Sequence, residues 1–180
     1  DESFIHIFVD RYRRGSKEEL VEFGKRTINK WDEPPVLGPN AKGLWNADFY
    51  GGDLLGIIQT LDYIDRLGVS NIYLSPICES ETNHRYDTGD YRKIDPYAGT
   101  REHLKLLCSE AHKRGKRVIL DGVFNHTGSN SLYFNKDGEY DTVGAYQSTE
   151  SPYFHFYESY IDDNGNIQFK YWWDFENMPV

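Results

Sequence analysis

Apolar residues along this chain alternate between short β-prone runs and stretches with the period of a helix. Phe4-Ile5-His6-Ile7-Phe8-Val9 is mostly apolar and reads as a strand. A polar stretch from Asp10 to Tyr50 follows, punctuated by Gly15, Pro34-Pro35, Gly38-Pro39 and Gly43. From Asp53 onward, Leu54, Ile57, Ile58, Leu61, Ile64 and Leu67 recur at helical spacing, which predicts one helix with a single buried face. Gly68 stands where a left-handed C-terminal cap belongs. Asn71-Ile72-Tyr73-Leu74 is the next strand, followed by a loop. Thr100 can cap a second helix with Glu102 in its first turn, a stripe of Leu104, Leu107, Cys108 and Ala111, and Gly115 at its end. Val118-Ile119-Leu120 then reads as a strand covered on both faces.

The order strand, helix, strand, helix, strand, with helices of about 15 residues, is what right-handed parallel crossovers require. The class is α/β. Periodicity alone leaves a doubly wound sheet and a (β/α)8 barrel both open. After Thr127 the periodicity ends, and only Ile167–Trp172 suggests a further strand. Residues 127–180 read as a small irregular subdomain inserted after the third strand.

At 180 residues the chain suits one domain, or one domain with an insertion. It is 38% hydrophobic and 27% charged, as a globular protein is, and no apolar run approaches the roughly 18 residues of a membrane helix. Asp1-Glu2-Ser3 passes at once into the first apolar run, unlike a signal peptide. A net charge of −9 disfavours nucleic acid and anionic membranes as partners and is neutral about sugars. Cys78 and Cys108 form neither a disulfide framework nor a metal cluster, and Cys108 is expected to be a buried thiol. Half of the aromatic residues follow residue 126, where most should form the interior of the subdomain. Trp172 and Trp173 are expected to divide, one inward and one toward a cleft.

In parallel α/β folds, functional groups collect beyond the C-terminal ends of the strands. The three such loops carry Asp10-Arg11-Tyr12-Arg13-Arg14, then Ser75-Pro76-Ile77 with Asn83-His84-Arg85-Tyr86-Asp87, then Asp121-Gly122-Val123-Phe124-Asn125-His126. The third places an Asp, an Asn and a His at one rim. Taken alone, it reads equally well as a turn-capping Asp and an ordinary loop histidine.

The wider context resembles the alpha-amylase family of glycoside hydrolases. The likeness runs in order through Gly51-Gly52-Asp53-Leu54-Leu55-Gly56-Ile57, Leu61-Asp62-Tyr63-Ile64, Leu67-Gly68-Val69 and Leu74-Ser75-Pro76-Ile77. It continues through His84-Arg85-Tyr86-Asp87, Tyr91, Ile94-Asp95-Pro96, Gly99-Thr100 and Asp121–His126, the last resembling the family's first signature segment. Ile7–Tyr12, Asp141–Gln147, Trp172–Phe175 and Met178-Pro179 are similar to the neopullulanase and cyclomaltodextrinase branch. The resemblance implies an incomplete (β/α)8 (TIM) barrel, its first three β/α units in residues 1–126, and a domain B-like insertion in 127–180. It implies an α-glucan partner such as starch, pullulan, cyclodextrin or malto-oligosaccharide, cut by a retaining mechanism. Carried over by position, Tyr86 stacks on a sugar ring, His126 donates a hydrogen bond to a hydroxyl of that ring, and Asp121 is a supporting carboxylate. Asp87 holds the Tyr86 loop, and Asn125 supports its neighbours.

No segment resembles the family's Arg-x-Asp nucleophile motif, so no catalytic residue is expected in these 180 residues and the chain alone is expected to be inactive. The alternative is a non-catalytic carbohydrate-binding or assembly module that reuses the half-barrel. The resemblance also implies a calcium loop after strand one, but Arg13-Arg14-Gly15-Ser16-Lys17 sets cations where hard oxygen ligands are needed, so no cofactor is expected. Three parallel strands leave two open edges, and Ile5, Ile72 and Ile119 or their neighbours face a missing barrel interior. Self-association through those edges is therefore expected.

Overall fold

The computed structural model describes residues 2–180, which divide into two compact units. The first comprises residues 2–77, Thr82–Arg85 and Ile94–Gly122; the second comprises Cys78–Glu81, Tyr86–Lys93 and Val123–Val180. In chain order the elements are β1 (Phe4–Ile7), α1 (Val9–Tyr12), β2 (Thr27–Ile28), β3 (Asp48–Phe49), α2 (Leu54–Gln59), α3 (Leu61–Arg66) and β4 (Asn71–Leu74). There follow β5 (Cys78–Ser80), β6 (Thr88–Ile94), α4 (Arg101–Lys113), β7 (Arg117–Leu120), β8 (Ser159–Ile161) and β9 (Ile167–Phe169).

The first unit is built on a parallel sheet of order β1-β4-β7. His6, Tyr73 and Ile119 stand in one row of its register, and Ile5, Ile72 and Val118 in the next. Because successive side chains of a strand point to opposite faces, these two rows face opposite ways. Ile5, Ile7, Ile72, Leu74 and Val118 pack against Leu54, Ile57, Leu61, Ile64, Leu107 and Ala111 of the helices. This corrects the expectation for Ile5 and Ile72: they lie in the helix-facing core, and the other face presents His6, Tyr73 and Ile119.

The helix expected as one piece from Asp53 to Leu67 is two. Thr60 donates its hydroxyl to the carbonyls of Gly56 and Ile57 at 3.1 and 2.9 Å, and its backbone leaves the helical region between α2 and α3. Side-chain back-bonding of this kind competes with the helical ladder. The apolar face nevertheless continues across the break, since Leu61 and Ile64 are as buried as Leu54 and Ile57. Thr100 caps α4 through His103 N, the His103 ring returns a bond to Thr100 N, and Gly68 and Gly115 take φ of +70° and +69° beyond the helix ends. Cys108 is half-buried rather than fully enclosed.

The second unit contains the β5-β6 and β8-β9 pairs. Residues 78–93 carry no apolar alternation, and they form strands with Thr88, Gly89 and Asp90 buried, a case of tertiary setting overriding local pattern. The core is aromatic: Phe134 meets Tyr157 and Phe169 edge-to-face, each at 4.9 Å between centroids, with Tyr133, Tyr153, Phe154 and Tyr171 around them. Tyr146, Phe156, Tyr160, Trp172, Trp173 and Phe175 remain exposed. The expected division of Trp172 and Trp173 is one of degree: both lie at the surface on a turn at 172–174, at 37% and 80% exposure, and Trp173, with left-handed backbone, stands the further out. Among the described residues no helix is long and apolar enough to cross a membrane.

Candidate functional site

In the first unit the strand ends carry Asp10, Ser75 and Asp121. Asp10 is fully buried and accepts N–H bonds from Tyr50 at 3.0 Å and Gly51 at 3.1 Å. Burial nevertheless pushes its carboxyl above the ordinary range, against the opposing pull of Arg85 and those N–H groups. Ser75 Oγ donates to Ile7 O at 3.1 Å and accepts from Val9 N at 3.2 Å, tying β1 to β4 at the rim. Asp121 follows β7, with its N–H on Leu74 O at 3.1 Å. Its carboxylate accepts the Tyr73 hydroxyl and thereby holds that phenol's pKa up. Asp10 thus works as a structural clamp, whereas Asp121 is half-buried at the end of its strand.

Arg85 is the residue whose importance the sequence reading missed. It is fully buried with φ at +61°, a region that non-glycine residues rarely enter. Its guanidinium bonds Asp95 Oδ1 at 3.2 Å and Asn83 O at 3.2 Å. Arg26 donates to both oxygens of Asp95, Nη1 to Oδ1 at 3.3 Å and Nη2 to Oδ2, with its guanidinium 4.3 Å from the Phe23 ring centroid and 4.7 Å from those of Phe49 and Tyr97. One carboxylate therefore holds two buried cations at the base of the loop that runs on into Tyr86. Two arginines so far apart in sequence gave no signal of this pairing.

The calcium loop implied by resemblance does not have a fitting donor set. Asp53 Oδ1 accepts from Gly15 N at 3.0 Å and Gly56 N at 2.6 Å, and Oδ2 accepts from Ser16 N at 2.8 Å. Both oxygens are thus committed to peptide donors, and Asp53 also caps α2. A Cβ on Gly56 would fall on Arg13 O, so the glycine is what allows the loop after β1 to close onto the helix. Among the described residues no group of three His, Cys, Asp or Glu side chains could hold a metal ion.

The second unit contains Tyr86, Asp87, Asn125 and His126. His126 is buried, and its Nε2 lies 3.1 Å from Tyr86 O. A carbonyl can only accept, so Nε2 carries the proton and Nδ1 accepts from Asn125 Nδ2 at 3.1 Å. Burial lowers the pKa of His126 and keeps the ring neutral at pH 7. Asp87 Oδ2 accepts Glu81 N at 3.0 Å, which fixes the residue after Tyr86. Tyr91 donates its hydroxyl to Val123 O, with His126 O at 3.1 Å, and so pins the middle and the C-terminal end of the 121–126 segment; burial pushes the phenol's pKa up to about 12.

Trp172 stacks on His126 at 5.0 Å with 24° between planes, and Trp173 stacks on Trp172 at 5.5 Å and 28°. The turn that displays them is strained, with φ of +51° at Trp173 and +61° at Asp174. Its base is closed by bonds from Trp172 N to Met178 O and from Met178 N to Phe175 O. The outcome is an aromatic platform, 80% exposed at Trp173, beside the one histidine of the signature segment.

The family model for the alpha-amylase catalytic domain matches residues 6–176. The chain belongs to the alpha-amylase family. An amylopullulanase of Thermoanaerobacterium saccharolyticum is 42% identical over 97% of the chain, and the chain spans 15% of that protein. The intracellular maltogenic amylase of Bacillus subtilis (strain 168) is 41% identical over 93% of the chain, which spans 26% of it. Among solved structures, the type III pullulan hydrolase of Thermococcus kodakarensis superposes with a TM-score of 0.78 at 31% identity, covering 99% of this chain and 32% of that one. These alpha-amylase family relatives are α-glucan hydrolases by name. Their likeness is consistent with the parallel sheet β1-β4-β7 being part of a TIM barrel.

Proposed function

We propose that this chain is part of a retaining glycoside hydrolase acting on α-glucans. Its parallel sheet would be the first three β/α units of the barrel, residues 1–126, and residues 127–180 a domain B-like insertion. The observation that carries the reading is the His126–Trp172–Trp173 stack against the Tyr86 loop. Flat aromatic faces suit sugar rings, and a neutral imidazole N–H suits a hydroxyl. Tyr86 supplies a stacking face, and His126 shares its Nε2–H between Tyr86 O and a ring hydroxyl. Asp121 acts as a supporting carboxylate, with Asp87 and Asn125 holding Tyr86 and His126 in place.

A retaining mechanism needs two carboxylates roughly 5 Å apart, one as nucleophile and one as acid/base. None of the residues matching the family's segments fills either role, so these 180 residues alone do not hydrolyse their glucan. Malto-oligosaccharide binding is weak, in the millimolar range on the order expected for a partly enclosed ligand. Isothermal or NMR titration with maltoheptaose, alongside an overnight reducing-sugar assay, tests both statements. Turnover that vanishes in Asp121→Asn would overturn the inactive reading. Absence of any maltoheptaose response at Tyr86, His126 and Trp172 would overturn the α-glucan reading.

A further inference from the structure

The second unit carries a groove of about 900 Å3. Its lining comes from the Tyr146–Thr149 turn, the β8-β9 hairpin and the segment from Tyr171 to Glu176. The platform residues Trp172 and Trp173 do not line it. Tyr146 and Tyr160 expose about half of their surface, at 47% and 51%; Tyr146 rests its inner side on Phe134, 5.4 Å between centroids, and leaves the rest of its ring to the groove. Tyr160 stands directly opposite Gln168 across the hairpin, so a flat ring and an amide sit side by side. Lys136 Nζ lies 5.9 Å from the ring centroids of both Tyr146 and Tyr171, which steadies the ring that forms the other wall.

The charges around the groove are balanced. Two cations, Lys136 and Lys170, and two carboxylates, Asp174 and Glu176, line it, and Lys170 is engaged by Glu158 at 2.6 Å. A phosphate or polyanion would find no excess of cations here, and an ammonium ligand no excess of carboxylates. What the lining offers is two exposed phenol rings, the hydroxyls of Ser148 and Thr149, and two amides held by one end each, Gln147 through Oε1 to Gly144 N and Gln168 through Nε2 to Asp162, which leaves Gln147 Nε2 and Gln168 Oε1 for a ligand. Uncharged, polyhydroxylated ligands with apolar ring faces match that set. The volume is at the upper end of the roughly 300–1,000 Å3 of ligand sites, enough for several sugar rings rather than one.

We propose that this groove is a second carbohydrate-binding surface, separate from the His126–Trp172 platform, that holds a linear α-glucan segment by stacking on Tyr146 and Tyr160. The ligand class rests on the function proposed above; the existence of a second site does not share its residues. A bound segment here would keep a long chain associated with the protein while another part of it occupies the platform, the effective-concentration gain of a two-point attachment.

The experiment is an NMR titration of the labelled 180-residue chain with maltoheptaose, reading Tyr146, Tyr160 and Gln168 separately from Tyr86, His126 and Trp172. Two sets of shifts with independent saturation curves are expected. Tyr160→Ala and Tyr146→Ala should each weaken the groove response about tenfold, the loss of one ring contact, and leave the platform response in place. Shifts confined to the platform would overturn the second site and leave the α-glucan reading standing. Shifts in neither set would overturn both. Because the titration of the unaltered chain already decides the matter, poor folding of either variant would not shield the proposal.

Discussion

The His126 imidazole lies face to face with the Trp172 indole, 5.0 Å between centroids, while its Nε2–H is held by the Tyr86 carbonyl. One buried ring therefore orders two segments 40 or more positions apart in the chain: the loop at Tyr86 and the turn at Trp172.

That arrangement makes stability depend on pH. The pKa of His126 is lowered in the folded state from an ordinary 6.5, chiefly by burial. The unfolded chain then binds the proton more readily, so the contribution is fully present above about pH 6.5 and is lost as pH falls through the lower folded value. Thermal melts between pH 7.5 and 5 should show a falling Tm, and His126→Gln should flatten that fall. An unchanged slope in the variant would assign the acid sensitivity to other groups.

Trp172→Ala removes the face on which His126 rests and half of the platform. Maltoheptaose affinity should fall about tenfold, with the near-ultraviolet circular dichroism band of the paired indoles lost. Trp173→Phe keeps a flat ring and should retain most of the binding. Equal losses in both would mean that the indole edge, not the face, recognises the ligand.

Asp95 compensates two buried guanidiniums. Asp95→Asn leaves Arg26 and Arg85 without their counter-charge, and the expected loss is about 3–5 kcal/mol by urea unfolding. Asp62→Asn, which breaks the exposed bond to Arg114 at 2.9 Å, serves as the control and should leave the midpoint unchanged. A small effect at Asp95 would mean that water or a rearranged arginine takes its place.

Since both oxygens of Asp53 are occupied by peptide N–H groups, chelators should not shift Tm, and added calcium should not raise it. Asp53→Ala deletes a helix cap and two cross-loop bonds, and about 1–2 kcal/mol of stability should go with the cap alone. A calcium-dependent Tm that Asp53→Ala abolishes would refute this account of the loop.

The sheet order β1-β4-β7 leaves β1 and β7 with an outer edge that no other strand among the described residues pairs, and its non-helical face presents His6, Tyr73 and Ile119. Unpaired edges recruit other chains. Sedimentation equilibrium of the 21.0 kDa chain should show self-association at high micromolar concentration. A clean monomer would show that this face is tolerated in water.

The three strands, both helical segments and their glycine caps were legible because each is a local pattern: a run of β-branched residues, or apolar positions at helical spacing. The signature at Asp121–His126 was legible for the same reason, being six consecutive residues. The β5-β6 pair was not, because its buried positions are Thr88, Gly89 and Asp90, whose burial follows from neighbours distant in sequence. Thr60 gave no sign of breaking its helix, since the apolar stripe runs through the break uninterrupted.

The sequence by itself determined the class of the fold, the family likeness and the identity of Tyr86, Asp87, Asp121, Asn125 and His126 as candidates. Tertiary structure alone decided how they are held. The proton on Nε2 of His126 follows from the Tyr86 carbonyl, and the two outward indoles follow from a left-handed turn pinned by Met178. The buried cations owe their place to one carboxylate shared between Arg26 and Arg85, 59 positions apart. The physical reason is common to all three: hydrogen bonds and ion pairs between distant residues leave no period in a sequence, whereas burial of one face of a helix or strand does.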